Sequence, residues 1–160
     1  MKIPIIGNGD VTTPERALEN FNRYGVDAIM IGRGSIGKPW IFSEIKQYFR
    51  TGEHKQILTF EEQKAILKEH VIASVKWLDM DDEGRENDPF TLSEKVITEI
   101  SGKRLKGIIH SRRHLAATPV FKGIPNFKET RIAMLRAETL NEVFAIIDSV
   151  PEPGYAELMI

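Results

Sequence analysis

Two short segments of the sequence combine glycine with polar side chains in a pattern suited to binding phosphate. Asn8-Gly9-Asp10 follows one apolar run, and Gly32-Arg33-Gly34 follows a second. Glycine lets a backbone turn tightly and approach a ligand, and the N–H groups of such turns can hold an anion. Arg33 would add a charge-assisted contact. For each segment alone, a purely structural turn is the better interpretation, and Asp10 argues slightly against a bare phosphate pocket. The pair at matching positions on consecutive strands favours phosphate binding.

A basic segment lies further along the chain. Residues 100–136 hold nine Lys and Arg residues and a single acidic residue, Glu129, although the whole chain has a net charge of −1. A local positive field of this kind is typical of a surface that binds a polyanion. A solvated helix face with compensating acidic residues nearby explains the charge equally well, so charge alone leaves both interpretations open.

Several single residues have both a functional and a structural interpretation. His110 and His114 are one helical turn apart and could ligate a metal, but contact with RNA phosphate or a plain surface position is the better interpretation. Trp40 and Trp77 occupy apolar helical positions and are predicted to be core residues rather than base-stacking platforms. Phe121 lies in a loop bounded by prolines, where an exposed ring could stack on a base.

The sequence pattern predicts a strand, a helix, a second strand and a second helix as the elements that position the two glycine segments. Ile3-Pro4-Ile5-Ile6 is predicted to be a buried strand, and Thr13-Pro14 predicts a helix start with Thr13 as N-cap and Gly25 as C-cap. Residues 27–31 are predicted to form the second strand, and a further helix is expected over residues 38–52. The strands should be parallel, but two strands cannot form a stable parallel sheet alone. This unit therefore belongs to a larger barrel or is completed by another chain.

The pattern changes near residue 51, and the remainder is predicted to be a helical bundle. Capping boxes occur at 59–62, 91–94 and 139–142, where a hydroxyl precedes a glutamate by three residues. Further helices are expected around 108–117 and from Asn126 onward. Short connections between several helices are typical of a bundle.

Composition excludes some chemistry. The sequence contains no cysteine, which excludes disulfides, thiolate metal sites and a cysteine nucleophile within these 160 residues. It has no apolar run of the roughly 18 residues that a membrane span requires, and its first residues do not read as a signal peptide. A cytoplasmic location is therefore the expectation.

Three segments that include the glycine turns resemble a known family. Residues 3–10, 25–34 and 37–42 resemble the last two βα units of bacterial tRNA-dihydrouridine synthases, and are most similar to the nitrogen-regulation-like TIM-barrel branch of that family. The resemblance is dense over residues 3–45. It is looser at Arg112-Arg113-His114-Leu115, Phe121-Lys122-Gly123-Ile124-Pro125 and Arg131.

The resemblance implies a fold that is part α/β and part all-α: the last two βα units of a TIM barrel over residues 1–51, and a C-terminal helical tRNA-binding domain over residues 52–160. It implies an oxidoreductase of tRNA processing that reduces uridine to 5,6-dihydrouridine with FMN, which NADPH recharges. The residues expected to bind the FMN phosphate are Asn8, Gly9, Asp10, Gly32 and Arg33. The residues expected to bind tRNA are Lys103, Arg104, Lys106, Arg112, Arg113, His114, Lys122 and Arg131.

The sequence also departs from the family pattern. The family uses a cysteine as general acid, and neither that cysteine nor the first six barrel strands are present in these residues. The chain is therefore expected to be a fragment that does not catalyse uridine reduction, and whether it holds FMN by itself stays open. Two other interpretations remain: a non-catalytic RNA-binding helical module, and part of another phosphate-binding TIM-barrel enzyme. Exposed strand edges also make a homodimer of the chain plausible.

Overall fold

The computed structural model describes residues 3–80 and 92–152. The chain divides into two compact units, Met1–Ile57 and Leu58–Ile160. The first unit is a small α/β structure and the second is helical throughout its described residues, so the described chain is mostly helical with one two-stranded sheet.

The first unit alternates strands and helices in the predicted order. Its elements are β1 (Ile6–Asn8), α1 (Pro14–Tyr24), β2 (Ala28–Met30), a 3-10 turn (Arg33–Ser35) and α2 (Ile41–Thr51).

The two strands pair in parallel, as predicted, with Gly7 of β1 opposite Ile29 of β2. The strand β1 begins at Ile6 rather than at Ile3, so the predicted strand was placed too early. Pro4 has no N–H group to donate to a ladder. Ahead of the ladder, Ile5 is held by Asp27 instead: its N–H donates to Asp27 Oδ2 at 2.8 Å, and its carbonyl accepts from the Asp27 N–H at 2.9 Å.

The helix α1 has the ends that the sequence predicts. The Thr13 side chain accepts a hydrogen bond from the Arg16 N–H, Pro14 occupies the first turn, and Gly25 adopts the left-handed conformation after the last turn (φ 57°). The rings of Phe21 and Phe49 meet edge to face with centroids 5.5 Å apart, which joins α1 to α2.

The strands of this unit are poorly covered. Ile6 of β1 is 65% exposed and Met30 of β2 is 55% exposed. Because side chains alternate across a strand, these residues share one face, while Gly7 and Ile29 lie on the other. An apolar face left open in this way needs further structure to cover it.

The second unit contains five α-helices among its described residues. They are α3 (Phe60–Asp79), α4 (Glu94–Ile100), α5 (Lys106–Ala117), α6 (Phe127–Arg136) and α7 (Leu140–Ser149), with a 3-10 turn at Pro119–Phe121 between α5 and α6.

Two of the three predicted capping boxes are present in full. The side chains of Thr59 and Glu62 cap the start of α3 reciprocally, and Thr139 and Glu142 do the same for α7. The third box was placed at 91–94, and Thr91 lies outside the described residues. Ser93 is the N-cap of α4, with its side chain accepting from the Val96 N–H.

The core of the second unit lies where α3, α5, α6 and α7 pack. Its fully buried side chains include Leu67, Val71, Val75, Ile108, Leu115, Met134, Leu140 and Ile147. The axes of α3 and α5 cross closely at Gly107, where an added Cβ would lie 2.3 Å from Val75 Cα. Only glycine fits there, which is why a residue that weakens most helices stands in the first turn of α5.

Two aromatic residues are placed differently from the sequence predictions. Phe121 is only 2% exposed and belongs to the core, so the suggestion that its ring stacks on a base was wrong. Trp77 was predicted to be core, and it is 67% exposed on α3. The prediction for Trp40, which is 8% exposed, is confirmed.

Candidate phosphate site and nucleic-acid interface

Both glycine segments of the first unit line the same cavity. Residues 8–12 after β1 and residues 32–34 after β2 enclose a space of about 720 Å³ that opens to solvent. Because β1 and β2 are parallel neighbours, their carboxyl ends meet at one edge, and the turns that follow them are adjacent. The five predicted cofactor-binding residues all line this cavity: Asn8, Gly9, Asp10, Gly32 and Arg33.

Gly34 holds the two turns together. An added Cβ at this position would lie 2.1 Å from the carbonyl oxygen of Val11 and 3.3 Å from Thr12 Cα. Any larger residue would push the second turn away from the first. Sequence reasoning grouped Gly34 with its neighbours but did not identify this packing role, because the contact joins residues 23 positions apart.

Gly9 and Gly32 have no such packing role. An added Cβ at either position would meet nothing within 4 Å, and neither residue has a positive φ. These positions therefore border open space, where a side chain would take room from a ligand. Backbone that an anion can approach is what glycine at a binding turn provides.

Asp10 adopts an uncommon backbone conformation, with φ of 38° in the left-handed region. Asp tolerates this region better than most residues, but the conformation is still strained. Its carboxylate forms an ion pair with the guanidinium of Arg33 on the opposite turn. Behind the turn, Asn20 of α1 donates from Nδ2 to the Gly9 carbonyl at 3.1 Å and fixes its position.

The Asp10–Arg33 ion pair lies in solvent, with side chains 75% and 81% exposed. Such a pair contributes little to stability. The guanidinium presents five donors, so it can exchange or share its carboxylate partner with an anion in the cavity. The arrangement gives the site one exposed positive group and one acidic group that can hold it in place.

In the second unit, the predicted RNA-binding residues lie on and around α5 and α6. Six of them are exposed: Lys103, Arg104, Lys106, Arg113, Lys122 and Arg131. Arg104 has an ion-pair partner in Glu138, with NH2 and Oε1 separated by 3.3 Å. The remaining two, Arg112 and His114, are half-buried and serve internal contacts.

Arg112 caps the end of α6. Its Nε and one terminal nitrogen donate to the Ala137 carbonyl at 3.1 and 2.9 Å, and it also donates to the Arg136 carbonyl at 3.3 Å. A cation at a helix C-terminus satisfies carbonyls that have no partner within the helix. The guanidinium also lies 3.5 Å from a Glu138 carboxylate oxygen. This role is structural, and contact of Arg112 with RNA stays a prediction.

One histidine of α5, His114, meets a histidine of α3. The rings of His114 and His70 lie with centroids 4.5 Å apart. Burial lowers the pKa of His70 to about 4, helped by the neighbouring His114 and His110, and burial likewise lowers the pKa of His114. Within residues 3–80 and 92–152, no group of three or more His, Cys, Asp or Glu side chains could hold a metal ion.

Comparison with known proteins gives the chain its family. The family model described as dihydrouridine synthase (Dus) matches residues 1–89, which is more than half of the chain. The chain belongs to the dihydrouridine synthase family. The match spans the phosphate-site turns and all of α3, and it ends before α4.

Curated relatives agree with this family. The chain is 47% identical over 73 residues to tRNA-dihydrouridine synthase B of Pseudomonas putida, which covers 46% of this chain and 22% of the relative. It is 47% identical over 70 residues to a probable tRNA-dihydrouridine synthase of Rickettsia conorii, covering 44% and 21%. It is 48% identical over 71 residues to tRNA-dihydrouridine synthase B of Pectobacterium carotovorum, covering 44% and 22%. The matched segment thus spans about a fifth of each relative.

The family match and the charge pattern fall on different parts of this family member. The matched residues contain both glycine turns, whereas the basic segment at 100–136 lies beyond them. Among the described residues, no helix is long and apolar enough to cross a membrane.

Proposed function

We propose that the chain is part of a flavin-dependent tRNA-dihydrouridine synthase, in which FMN recharged by NADPH reduces uridine in tRNA to 5,6-dihydrouridine. The observation that carries this proposal is the cavity that both glycine turns share in a member of the dihydrouridine synthase family. The relatives that match are named as tRNA-dihydrouridine synthases, which supports tRNA as the substrate.

The proposed setting of β1 and β2 is a TIM barrel, of which they are the last two strands. Their parallel pairing and the helix between them are the elements of a βαβ unit. In the closed barrel, the exposed face that carries Ile6 and Met30 would point inward and be covered there. Pairing of these strands with a second copy of the chain is the alternative way to cover them.

The residues that line the cavity fit the phosphate of FMN. Gly9 and Gly32 leave room for the anion beside backbone N–H groups, and Arg33 supplies a positive charge that Asp10 holds over the cavity. Asn8 is the last residue of β1 and lines the same cavity. When bound, the flavin supplies the reducing equivalents for the uracil ring; the role of the residues in this chain is to bind and orient its phosphate.

The second unit is proposed to bind tRNA. Its exposed Lys and Arg side chains around α5 and α6 carry a positive charge that the phosphate backbone of tRNA would neutralise. In this proposal each compact unit binds one ligand: the first binds the phosphate of the cofactor, and the second binds tRNA.

A comparison of FMN with riboflavin, which lacks the phosphate, tests the first part of the proposal. We expect FMN to bind the full chain more tightly than riboflavin in a flavin-fluorescence titration. Arg33→Ala should weaken FMN binding about tenfold or more, because it removes a charge-assisted contact. Arg50→Ala, which removes an exposed arginine at the end of α2, should leave binding unchanged.

Glycine variants sharpen the same test. Gly9→Ala and Gly32→Ala place a methyl group in open space, so the fold should stay intact while FMN binding weakens. Gly34→Ala should instead destabilise the first unit, because its Cβ would overlap the Val11 carbonyl. Equal affinity for FMN and riboflavin, or unchanged FMN binding by Gly9→Ala and Gly32→Ala, would contradict the assignment of this cavity to phosphate.

A further inference from the structure

A second cavity of the first unit lies behind the turn that follows β1, on the side of α1. This rear cavity has a volume of about 380 Å³ and is lined by residues 7–11, by Val26 and Ile29, and by Arg16, Asn20 and Tyr24 of α1. Residues 8–11 also line the front cavity, which lies between the two glycine turns. The turn after β1 is therefore a wall between two open spaces, and its peptide groups need specific contacts to fix their direction.

Asn20 is the residue of α1 that supplies such a contact. Arg16, Asn20 and Tyr24 are spaced four residues apart, so they lie on one face of the helix, toward the rear cavity. Asn20 Nδ2 donates to the Gly9 carbonyl oxygen at 3.1 Å, and a carbonyl oxygen can only accept. Within the described residues, no other side chain of α1 hydrogen-bonds to residues 8–11, and Arg16 forms its ion pair within the helix.

The hydrogen bond to Gly9 also sets the direction of the next backbone N–H. The peptide between Gly9 and Asp10 is trans and planar, so its carbonyl and its N–H point in opposite directions. Since the carbonyl is held toward α1, the Asp10 N–H points away from α1. The front cavity lies on that side, because its lining includes residues 32–34 of the other turn and no residue of α1. Among the described residues, this N–H has no hydrogen-bond acceptor.

The backbone of the turn does not fix this direction by itself. An added Cβ at Gly9 would meet nothing within 4 Å, and glycine has wide backbone freedom. Asp10 lies in the left-handed region, at φ 38°, which a residue with a side chain rarely adopts. A half-turn of the peptide between them would relieve Asp10 of this conformation and meet little steric resistance. It would also present a carbonyl oxygen, instead of an N–H, to an anion in the front cavity.

We infer that Asn20 is a positioning residue of the phosphate site: its hydrogen bond to the Gly9 carbonyl keeps the Asp10 N–H directed at the phosphate of the cofactor. The inference rests on the proposed function, in which the front cavity binds FMN. Asn20 acts through the backbone and does not touch the phosphate itself. Its effect adds to that of Arg33, which lines the same cavity from the opposite turn.

Variants that remove the donor of Asn20 without adding a charge test the inference. Asn20→Leu keeps the approximate shape of the side chain, and it should weaken binding of FMN to the full chain about tenfold. Riboflavin has no phosphate, so its binding should be unchanged. Asn20→Ala should give the same result with a smaller side chain that a helix accepts readily. Asn22→Leu is the matched control, because Asn22 is exposed on the same helix and lines neither cavity.

The amide resonance of Asp10 gives a readout that a merely structural role of Asn20 would not change. In a titration of the full chain with inorganic phosphate, the Asp10 amide proton of the wild type should shift downfield as it donates to the anion. The shift should be much smaller in Asn20→Leu, because the N–H no longer faces the cavity, and should stay at the wild-type value in Asn22→Leu. Circular dichroism of each variant checks that α1 is retained.

Three outcomes overturn the inference and leave the proposed function standing. In the first, Asn20→Leu and Asn20→Ala keep the wild-type preference for FMN over riboflavin. In the second, they weaken the binding of both flavins alike, as a simple structural tie between α1 and the turn would. In the third, a wild-type chain that prefers FMN shows no response of the Asp10 amide to phosphate. A wild-type chain that binds FMN no more tightly than riboflavin removes the proposed phosphate site, and the inference with it.

Discussion

Oδ2 of Asp79, the last residue of α3, accepts a hydrogen bond of 2.8 Å from the backbone N–H of Gly107 in the first turn of α5. Oδ1 of the same carboxylate accepts from the Lys106 N–H at 2.9 Å. The first N–H groups of a helix have no partner within it, and the residue at the N-cap of α5, Leu105, has no side chain that can accept. A carboxylate from one helix therefore caps the next, and its charge also favours the positive end of the helix dipole.

Loss of this cap should destabilise the helical unit. Asp79→Ala is expected to lower the free energy of unfolding by about 1–2 kcal/mol, the usual cost of removing a helix N-cap. Urea-induced unfolding followed by circular dichroism measures the change. Glu69→Ala removes an exposed acidic residue from the same helix and should change stability by less than about 0.5 kcal/mol. Equal stability of the two variants would mean that the Asp79 hydrogen bonds contribute nothing.

Gly107 is the position where the helical unit is least able to accept a side chain. Gly107→Ala would bring a methyl group within 2.3 Å of both Val75 N and Val75 Cα, so two helices would have to separate. We expect a loss of about 2–3 kcal/mol or more, because buried backbone cannot yield as a flexible side chain can. Gly102→Ala is the matched control, since an added Cβ there meets nothing within 4 Å. The difference in thermal midpoint between the two variants measures the effect, and similar midpoints would contradict the close crossing of α3 and α5.

His70 should make stability dependent on pH. Its pKa is lowered from 6.5 to about 4 in the folded protein, first by burial and then by the charges of His114 and His110. The unfolded state therefore binds the proton more readily than the folded state. The contribution of His70 to the free energy of unfolding is fully present above about pH 6.5 and is lost as the pH falls towards 4. The loss should be on the order of 1 kcal/mol, less than the full shift because the ring is partly exposed to solvent.

A His70→Gln variant isolates this contribution. It removes the titrating group, so the slope of stability against pH between 6.5 and 4 should be shallower than in the wild type. Unfolding free energies measured at a series of pH values in that window give both slopes. Parallel curves for the two proteins would show that His70 does not carry the pH dependence.

Local signals in the sequence were sufficient for the helix ends and for the order of elements. Thr13, Thr59 and Thr139 each cap the helix that their pattern predicted, because a cap involves residues only three or four positions apart. The two glycine segments were also found from sequence, since parallel strands bring their carboxyl ends together.

Contacts between distant residues could not be predicted in the same way. Asp79 caps a helix 27 residues further along, and Arg112 caps the end of a helix 25 residues beyond it. Trp77 was assigned to the core because it continues an apolar helical pattern, yet Val71 and Val75 are fully buried while Trp77 is 67% exposed. Periodicity identifies an apolar stripe on a helix but does not show how much of it a neighbour covers.

Arg112 and Arg113 are adjacent in sequence, and the structure predicts opposite outcomes for them. Arg112→Ala removes the cap on α6 and should cost about 1–2 kcal/mol of stability, since its guanidinium donates to two main-chain carbonyls. Arg113 is exposed, and Arg113→Ala should change stability by less than about 0.5 kcal/mol.

If the helical unit binds tRNA, Arg113→Ala should instead reduce the slope of log affinity against log salt by about one, as expected for one lost phosphate contact. Filter binding of a tRNA transcript over a range of salt concentrations, together with urea unfolding, separates the two effects. An unchanged salt slope in Arg113→Ala would remove this residue from the interface. A stability loss in Arg113→Ala equal to that in Arg112→Ala would show that the cap on α6 is not what distinguishes them.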